Sequence, residues 1–331
     1  MVKASGAFVL EKNTEVFIKE LASVGGTPIY KLTPVQARAV LEKLQSGVVE
    51  KLPIKIEDKM IPGGPKGKIS IRIFRPQNGK EKLPVTMFIH GAGWVMGSSS
   101  THDHLARELA VGTHSAVVFV NYPLSPESKF PIALEEAYSA TKYIAEHGKS
   151  LNLDSSRIAI AGDSVGGNMA IAVTLLAKER HGPKIECQLL FYPVTSSEMN
   201  TPSYKQFSEG PWLTKAAMEW FWEAYEPDVD VRKKSVLSPL NASIMELKGL
   251  PPALIITAEN DVLRDEGEQY AHKLMQAGVN VTATRYLGTI HDFVMLNALA
   301  NTPAARAAIS LACHYLQQVF SKQKKALVRA A

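Results

Sequence analysis

Two glycines flank a serine in Gly162-Asp163-Ser164-Val165-Gly166, between the apolar run Ile-Ala-Ile-Ala at 158–161 and a helical pattern. A sharp turn there would lift the hydroxyl clear of a sheet edge, with no Cβ to block the close strand–helix approach. The helix would aim its free N–H groups and positive dipole end at any oxyanion forming beside Ser164. A serine hydroxyl is a poor nucleophile at neutral pH without a base. Of nine histidines, His102, His104, His147, His181 and His272 fall on polar helix faces or loops, His114 precedes a strand, and His314 sits in the last helix. His291, in Gly288-Thr-Ile-His291-Asp292-Phe293, directly follows the final strand-like run, where a loop at the sheet's carboxyl edge belongs. An imidazole base needs a carboxylate that fixes its tautomer and stabilises its cation. Asp261 stands just past the strand-like run at 253–257. Asp265 and Asp292 compete, but Asp265 opens a helix and suits a cap or first-turn role. A fourth strand end, His90-Gly91-Ala92-Gly93-Trp94 after 85–89, offers backbone N–H groups to a tetrahedral oxyanion, worth roughly 3–4 kcal/mol per donor. Either glycine motif alone is also compatible with a plain tight turn. Their agreement with the other two strand ends favours nucleophilic chemistry.

The elements that must position these groups alternate along most of the chain. Short runs rich in Val, Ile and Phe lie at 69–74, 85–89, 116–121, 158–161, 188–192, 253–257 and 281–286. Several are apolar on both parities, as parallel strands covered on both faces are. Helical patterns at 102–111, 132–147, 165–179, 264–276 and 304–320 separate them, so right-handed crossovers build a mostly parallel sheet. Two regions break the alternation. Residues 1–50 carry two amphipathic patterns, at 15–23 and 34–45, before any strand. Residues 195–249 separate two strands by far more than a usual connection and hold an aromatic-rich helix at 214–225. The expectation is one domain over 1–331, with a helical cap from about 1–50 and 195–249 over a core of about 51–194 and 250–331.

The composition of these 331 residues, 46% apolar and 21% charged, is that of a globular chain and excludes fibrous and wholly disordered classes. No window approaches the roughly 18 uninterrupted apolar residues of a membrane span, so no membrane partner is expected. The net charge of +5 is scattered apart from Lys322, Lys324, Lys325 and Arg329. With no aromatic-interleaved patch or reading helix, that tail is a solvated terminus and no nucleic-acid partner is expected. Cys187 and Cys313 sit in apolar strand-like and helix-like contexts and read as reduced core thiols. Phe8 to Leu10 are followed at once by Glu11 and Lys12, unlike a signal peptide, so the expected address is the cytoplasm.

From about residue 69 onward the chain resembles the hormone-sensitive-lipase-like family of α/β-hydrolases, carboxylesterases with an HGGGW-type loop and a GDSAGG elbow. The motifs that carry the resemblance come in order: His90 to Trp94, Tyr122-Pro-Leu-Ser-Pro-Glu127 with Phe130-Pro131, Gly162 to Asn168, Trp212-Leu-Thr214, Trp220-Phe-Trp222, Ser238-Pro-Leu240, Asp261-x-Leu263-x-Asp265-Glu266-Gly267 and His291-x-Phe293. Serine, acid and histidine also follow each other in the order usual for that fold. The resemblance implies Ser164 as nucleophile, Asp261 as acid, His291 as base, and the N–H groups of Ala92, Gly93 and Val165 as oxyanion donors. It implies hydrolysis of short- to medium-chain carboxylic esters through an acyl-enzyme, with no metal or organic cofactor. Trp94, Trp212 and Phe207 are the expected substrate contacts, although the cap aromatics, Trp220 and Trp222 among them, could equally form the cap's own core. Ala92 stands where the family has glycine, and an alanine in a glycine-like turn is strained. Val165 stands where the family has alanine, and Asp292 where it commonly has glycine. Asp292 either raises the basicity of the imidazole or faces solvent. A homodimer through an edge strand is common in the family, but no interface is legible in this sequence. Two other functions compete. A small-molecule receptor of this fold would show a damaged triad. Lactone or amide hydrolysis would use the same groups.

Overall fold

The computed structural model describes residues 8–77 and 82–330, with side chains to residue 321. The side chains of Lys322, Lys324, Lys325 and Arg329 lie outside the described residues. Eight strands, β1 (Ile54–Pro62), β2 (Lys68–Pro76), β3 (Leu83–Ile89), β4 (Ala116–Val120), β5 (Leu153–Asp163), β6 (Gln188–Phe191), β7 (Ala253–Asn260) and β8 (Val281–Ile290), form one sheet ordered β1-β2-β4-β3-β5-β6-β7-β8. From β4 to β8 all pairs are parallel, whereas β2 runs antiparallel to both β1 and β4. Every residue of β3, β4 and β6 is buried, because parallel strands with helices on both faces have no solvent side. This is the mostly parallel α/β sheet expected from the alternation, and the α/β-hydrolase class that the resemblance implied.

The helices are α1 (Lys12–Val24), α2 (Pro34–Gln45), α3 (Asp103–Thr113), α4 (Ile132–His147), α5 (Val165–Glu179), α6 (Pro202–Gln206), α7 (Lys215–Tyr225), α8 (Ile244–Leu247), α9 (Arg264–Gln276) and α10 (Pro303–Ala330). Helix α3 packs with α10, and α4 with α5. One strand lay outside the sequence expectation. The charged pattern of β1, Ile-Lys-Ile-Glu-Asp-Lys-Met-Ile-Pro, is only partly buried, as an edge strand's is. Both cysteines are buried and free. No helix among the described residues is long and apolar enough to cross a membrane.

Helices α1 and α2 start on side-chain caps. The Glu11 carboxylate accepts the N–H groups of Asn13 and Thr14, and Thr33 with Gln36 forms a capping box before Pro34. Helix α2 is pinned to the loops at the strand ends. Arg38 donates to the carbonyls of Val95 (2.8 Å) and Ser125 (2.9 Å). The buried amide of Gln45 donates to the carbonyls of Thr101 (2.7 Å) and Met295 (2.9 Å). Buried polar groups need such partners, so α2 is a fixed wall above the carboxyl ends of the strands. Segment 195–249 meets α1 where Trp212 packs on Phe17, centroids 5.7 Å apart.

Candidate active site

Ser164 occupies the turn between β5 and α5 with φ +54 and ψ −121, a conformation that L-residues avoid without tertiary support. Support comes from its own N–H, which donates to Phe191 O (2.9 Å), and from its carbonyl, which accepts the N–H groups of Asn168 and Val194. A Cβ at Gly162 would lie 2.3 Å from Gly166 O, and one at Gly166 would lie 2.0 Å from Ile89 O. The flanking glycines are therefore required by contact between backbones.

Three strand ends converge on this turn. His291 follows β8 and Asp261 follows β7. The Ser164 hydroxyl lies 2.9 Å from His291 Nε2, and His291 Nδ1 lies 2.7 Å from Asp261 Oδ2. A carboxylate only accepts, so Nδ1 carries the proton and Nε2 is left to accept from the hydroxyl. The other oxygen of Asp261 accepts the Leu263 N–H at 3.0 Å. All three groups are buried. Burial pushes the His291 imidazole down, but Asp261 and Asp292 outweigh it and hold the imidazole up at about 9.

The loop after β3 turns through three consecutive left-handed residues, Ala92 (φ +73), Gly93 (φ +70) and Trp94 (φ +59). Ala92 thus carries the strain expected of an alanine in a glycine-like turn. Its placement depends on a buried network behind it. Asp163 accepts the Gly91 N–H (3.0 Å) and lies 3.3 Å from His102 Nε2. The His90 Nδ1–H donates to Gly91 O (2.9 Å), and the His90 ring stacks on Tyr122 with centroids 4.2 Å apart. Burial pushes His90 down to about 3, leaving it neutral. The N–H of Val165, in the first turn of α5, has no intrahelical acceptor. Ala92 and Gly93 line the same cavity as Ser164.

That cavity, of about 210 Å³, is walled by Ala37, Leu41 and Leu44 of α2, by Leu213 and Phe221, and by Met96 and Met295. Of the expected substrate contacts, Trp212 lines it. Trp94 and Phe207 do not, and both expectations are corrected here. Trp94 is buried, stacked on Tyr225 at 4.3 Å and packed against Trp222 at 4.7 Å. Phe207 is buried beneath the Arg264 guanidinium and beside Phe8. Both are large apolar side chains stabilised by filling interior space. The expected exposure of His102 and His104 is corrected too. They are buried against Asp163 and Glu108, partners 61 and 4 residues away.

Sequence reasoning missed one neighbour of His291 and left the role of another open. Tyr192, one residue past β6 and at φ +37, sets its ring edge-on to the imidazole at 4.7 Å. Asp292 does not face solvent. It is buried, accepts the Trp212 indole N–H at 3.0 Å, and approaches His291 Nε2 at 3.4 Å. The strand-end position of Tyr192 was the available clue to the first; for the second, the sequence offered raised basicity or solvent exposure, and its burial beside the imidazole excludes the latter.

A family model for the alpha/beta hydrolase fold matches residues 86–295. The carboxylesterase NlhH of Mycobacterium tuberculosis is 37% identical over 277 residues, covering 82% of this chain and 85% of that protein. An esterase of Gibberella moniliformis is 36% identical over 270 residues, 81% of this chain and 83% of its own length. Among solved structures, a thermostable esterase from Pseudomonas putida superimposes with a TM-score of 0.93 at 48% identity, covering 95% of this chain and 98% of that one. The chain belongs to the alpha/beta hydrolase fold family, in its hormone-sensitive-lipase-like branch.

Proposed function

We propose that this chain is a serine carboxylesterase acting on short- to medium-chain carboxylic esters. Ser164 attacks the ester carbonyl while His291 Nε2 takes its proton, and the N–H groups of Ala92, Gly93 and Val165 receive the oxyanion. The imidazolium, steadied by Asp261, protonates the departing alcohol and leaves an acyl group on Ser164. Water, activated by the same imidazole, releases the acid. The observation that carries this reading is the unbroken chain Asp261–His291–Ser164, at 2.7 and 2.9 Å, opening into a mostly apolar cavity. The esterase relatives support it. An intact chain of contacts also weighs against a non-catalytic receptor, which has no need of an activated hydroxyl.

Helices α1 and α2 with residues 195–249 act as one cap that supplies the apolar walls. At about 210 Å³ the cavity falls below the roughly 300–1,000 Å³ of drug-sized sites, which favours short acyl chains. The reading carries a reducing, cytoplasmic setting, consistent with two free cysteines, and a homodimer paired through an edge strand of the sheet. The test is a p-nitrophenyl ester series from acetate to palmitate. Turnover should peak at acetate to hexanoate and be negligible for palmitate. A maximum at long chains, or at lactones or amides over esters, would overturn the substrate assignment.

A further inference from the structure

Asp292 carries a feature the triad does not account for. Its Oδ2 accepts from the Trp212 indole, but its Oδ1 is buried without a hydrogen-bond partner, 3.4 Å from His291 Nε2. A buried acceptor left unpaired is costly in a resting protein. Its nearest nitrogen is the atom that gains a proton when Ser164 is deprotonated. While Nε2 accepts from the Ser164 hydroxyl it has nothing to give Oδ1. Once the imidazolium forms, Nε2–H becomes a donor with a carboxylate oxygen already beside it. A contact weak in the ground state and strong when charge develops is the kind that accelerates a step.

We propose that Asp292 is a positioning residue that holds a second carboxylate against the His291 imidazolium and is itself held in place by Trp212 of the cap. The inference rests on the serine-hydrolase reading above and deepens it. Asp292 sits at φ +66, in the left-handed region, with its Oδ1 3.4 Å from His291 Nε2. Trp212 comes from the segment opposite α2 and packs on Phe17 of α1, so the cap reaches the base through one indole N–H.

The other titratable groups facing the pair are Asp261 on Nδ1, Asp163 and His102 behind the oxyanion loop, Glu266 beneath Asp261, and Tyr192 edge-on to the ring. Burial and the nearby Asp163 push the Asp292 carboxyl up, and His291, the Trp212 N–H and His102 oppose that rise only in part. Asp261 alone fixes the tautomer, because only it reaches Nδ1. Asp292 acts on Nε2, as charge and not as a tautomer lock.

The test is the pH dependence of kcat/KM for p-nitrophenyl butyrate in wild type, D292N, D292G, W212F and the W212F/D292N pair. Removing an opposite charge at this range lowers an imidazole pKa by about 1–2 units. The acid limb of D292N and D292G should therefore move down by that amount, with kcat at the alkaline plateau reduced by about tenfold. W212F should move the limb in the same direction by less, and should move it no further once Asp292 is gone. D292N keeps an oxygen for the Trp212 indole, so a merely structural role would leave its limb at the wild-type pH. That result in both D292N and D292G overturns the proposal, as does a W212F shift that persists unchanged in the pair. Fluorophosphonate labelling of the same samples separates the failures. Labelled protein with an unmoved limb removes only this inference, whereas unlabelled wild type removes the hydrolase reading beneath it.

Discussion

Replacing Asp261 by asparagine should lower kcat for p-nitrophenyl butyrate by about 10⁴, equivalent to roughly 5.4 kcal/mol of barrier. The magnitude follows from the two bonds the carboxylate makes. One oxygen accepts the buried Leu263 N–H at 3.0 Å and the other faces His291 Nδ1 at 2.7 Å. An asparagine has one acceptor oxygen for these two places. Orphaning the Leu263 N–H would cost about 1–3 kcal/mol, so the amide oxygen stays there and the NH2 turns to the imidazole. Nδ1 must then accept, the ring proton moves to Nε2, and the nitrogen facing Ser164 can no longer take a proton. Asp292 offers no rescue, because it lies on the Nε2 side at 3.4 Å. The assay is steady-state kinetics beside a thermal melt, with KM and the unfolding midpoint expected to change little. A D261N enzyme within tenfold of wild-type kcat would refute the tautomer argument.

Two further outcomes follow from the same geometry. Gly93→Ala would place a Cβ 2.1 Å from the Phe221 ring at a residue with φ +70, so the loop must shift. Loss of one oxyanion donor should lower kcat by about 10²–10³, and a G93A kcat within threefold of wild type would contradict the donor assignment. The second outcome concerns pH. The base works only when neutral, and Asp261 and Asp292 hold the His291 imidazole up at about 9 against its burial. Wild-type kcat/KM should thus keep rising toward pH 9 instead of levelling just above 6.5. This raised group stabilises the fold fully below 6.5 and loses that contribution as pH climbs through 9. Activity should therefore gain where thermal stability declines. A kcat/KM plateau by pH 7 would count against the paired carboxylates.

Much of this was legible in the sequence because parallel sheets put chemistry at strand ends. The positions of Ser164, Asp261 and His291 just past apolar runs followed from strand and helix periodicity alone, and their contact needs only that the sheet closes in order. What escaped were properties set by partners distant in sequence. Trp94 and Phe207 were expected at the substrate, yet aromatic type does not reveal that one stacks on Tyr225 and the other lies under Arg264. The strand β1 was hidden by its charged side chains, which an edge position tolerates. His102 looked like a surface residue because its partner, Asp163, is 61 residues away. Asp292 was left between two roles, since only its contacts with the cap tryptophan and His291 decide where its oxygens point.

Covalent trapping of the acylated serine tests the core of this account most directly. Intact-mass and peptide-mapping analysis after brief exposure to a fluorophosphonate should find a single adduct on the peptide carrying Ser164, with hydrolysis lost in proportion to labelling. S164A should stay folded, take up no label and turn over no ester. An adduct on another residue, or ester turnover by S164A equal to wild type, would contradict the account at its base.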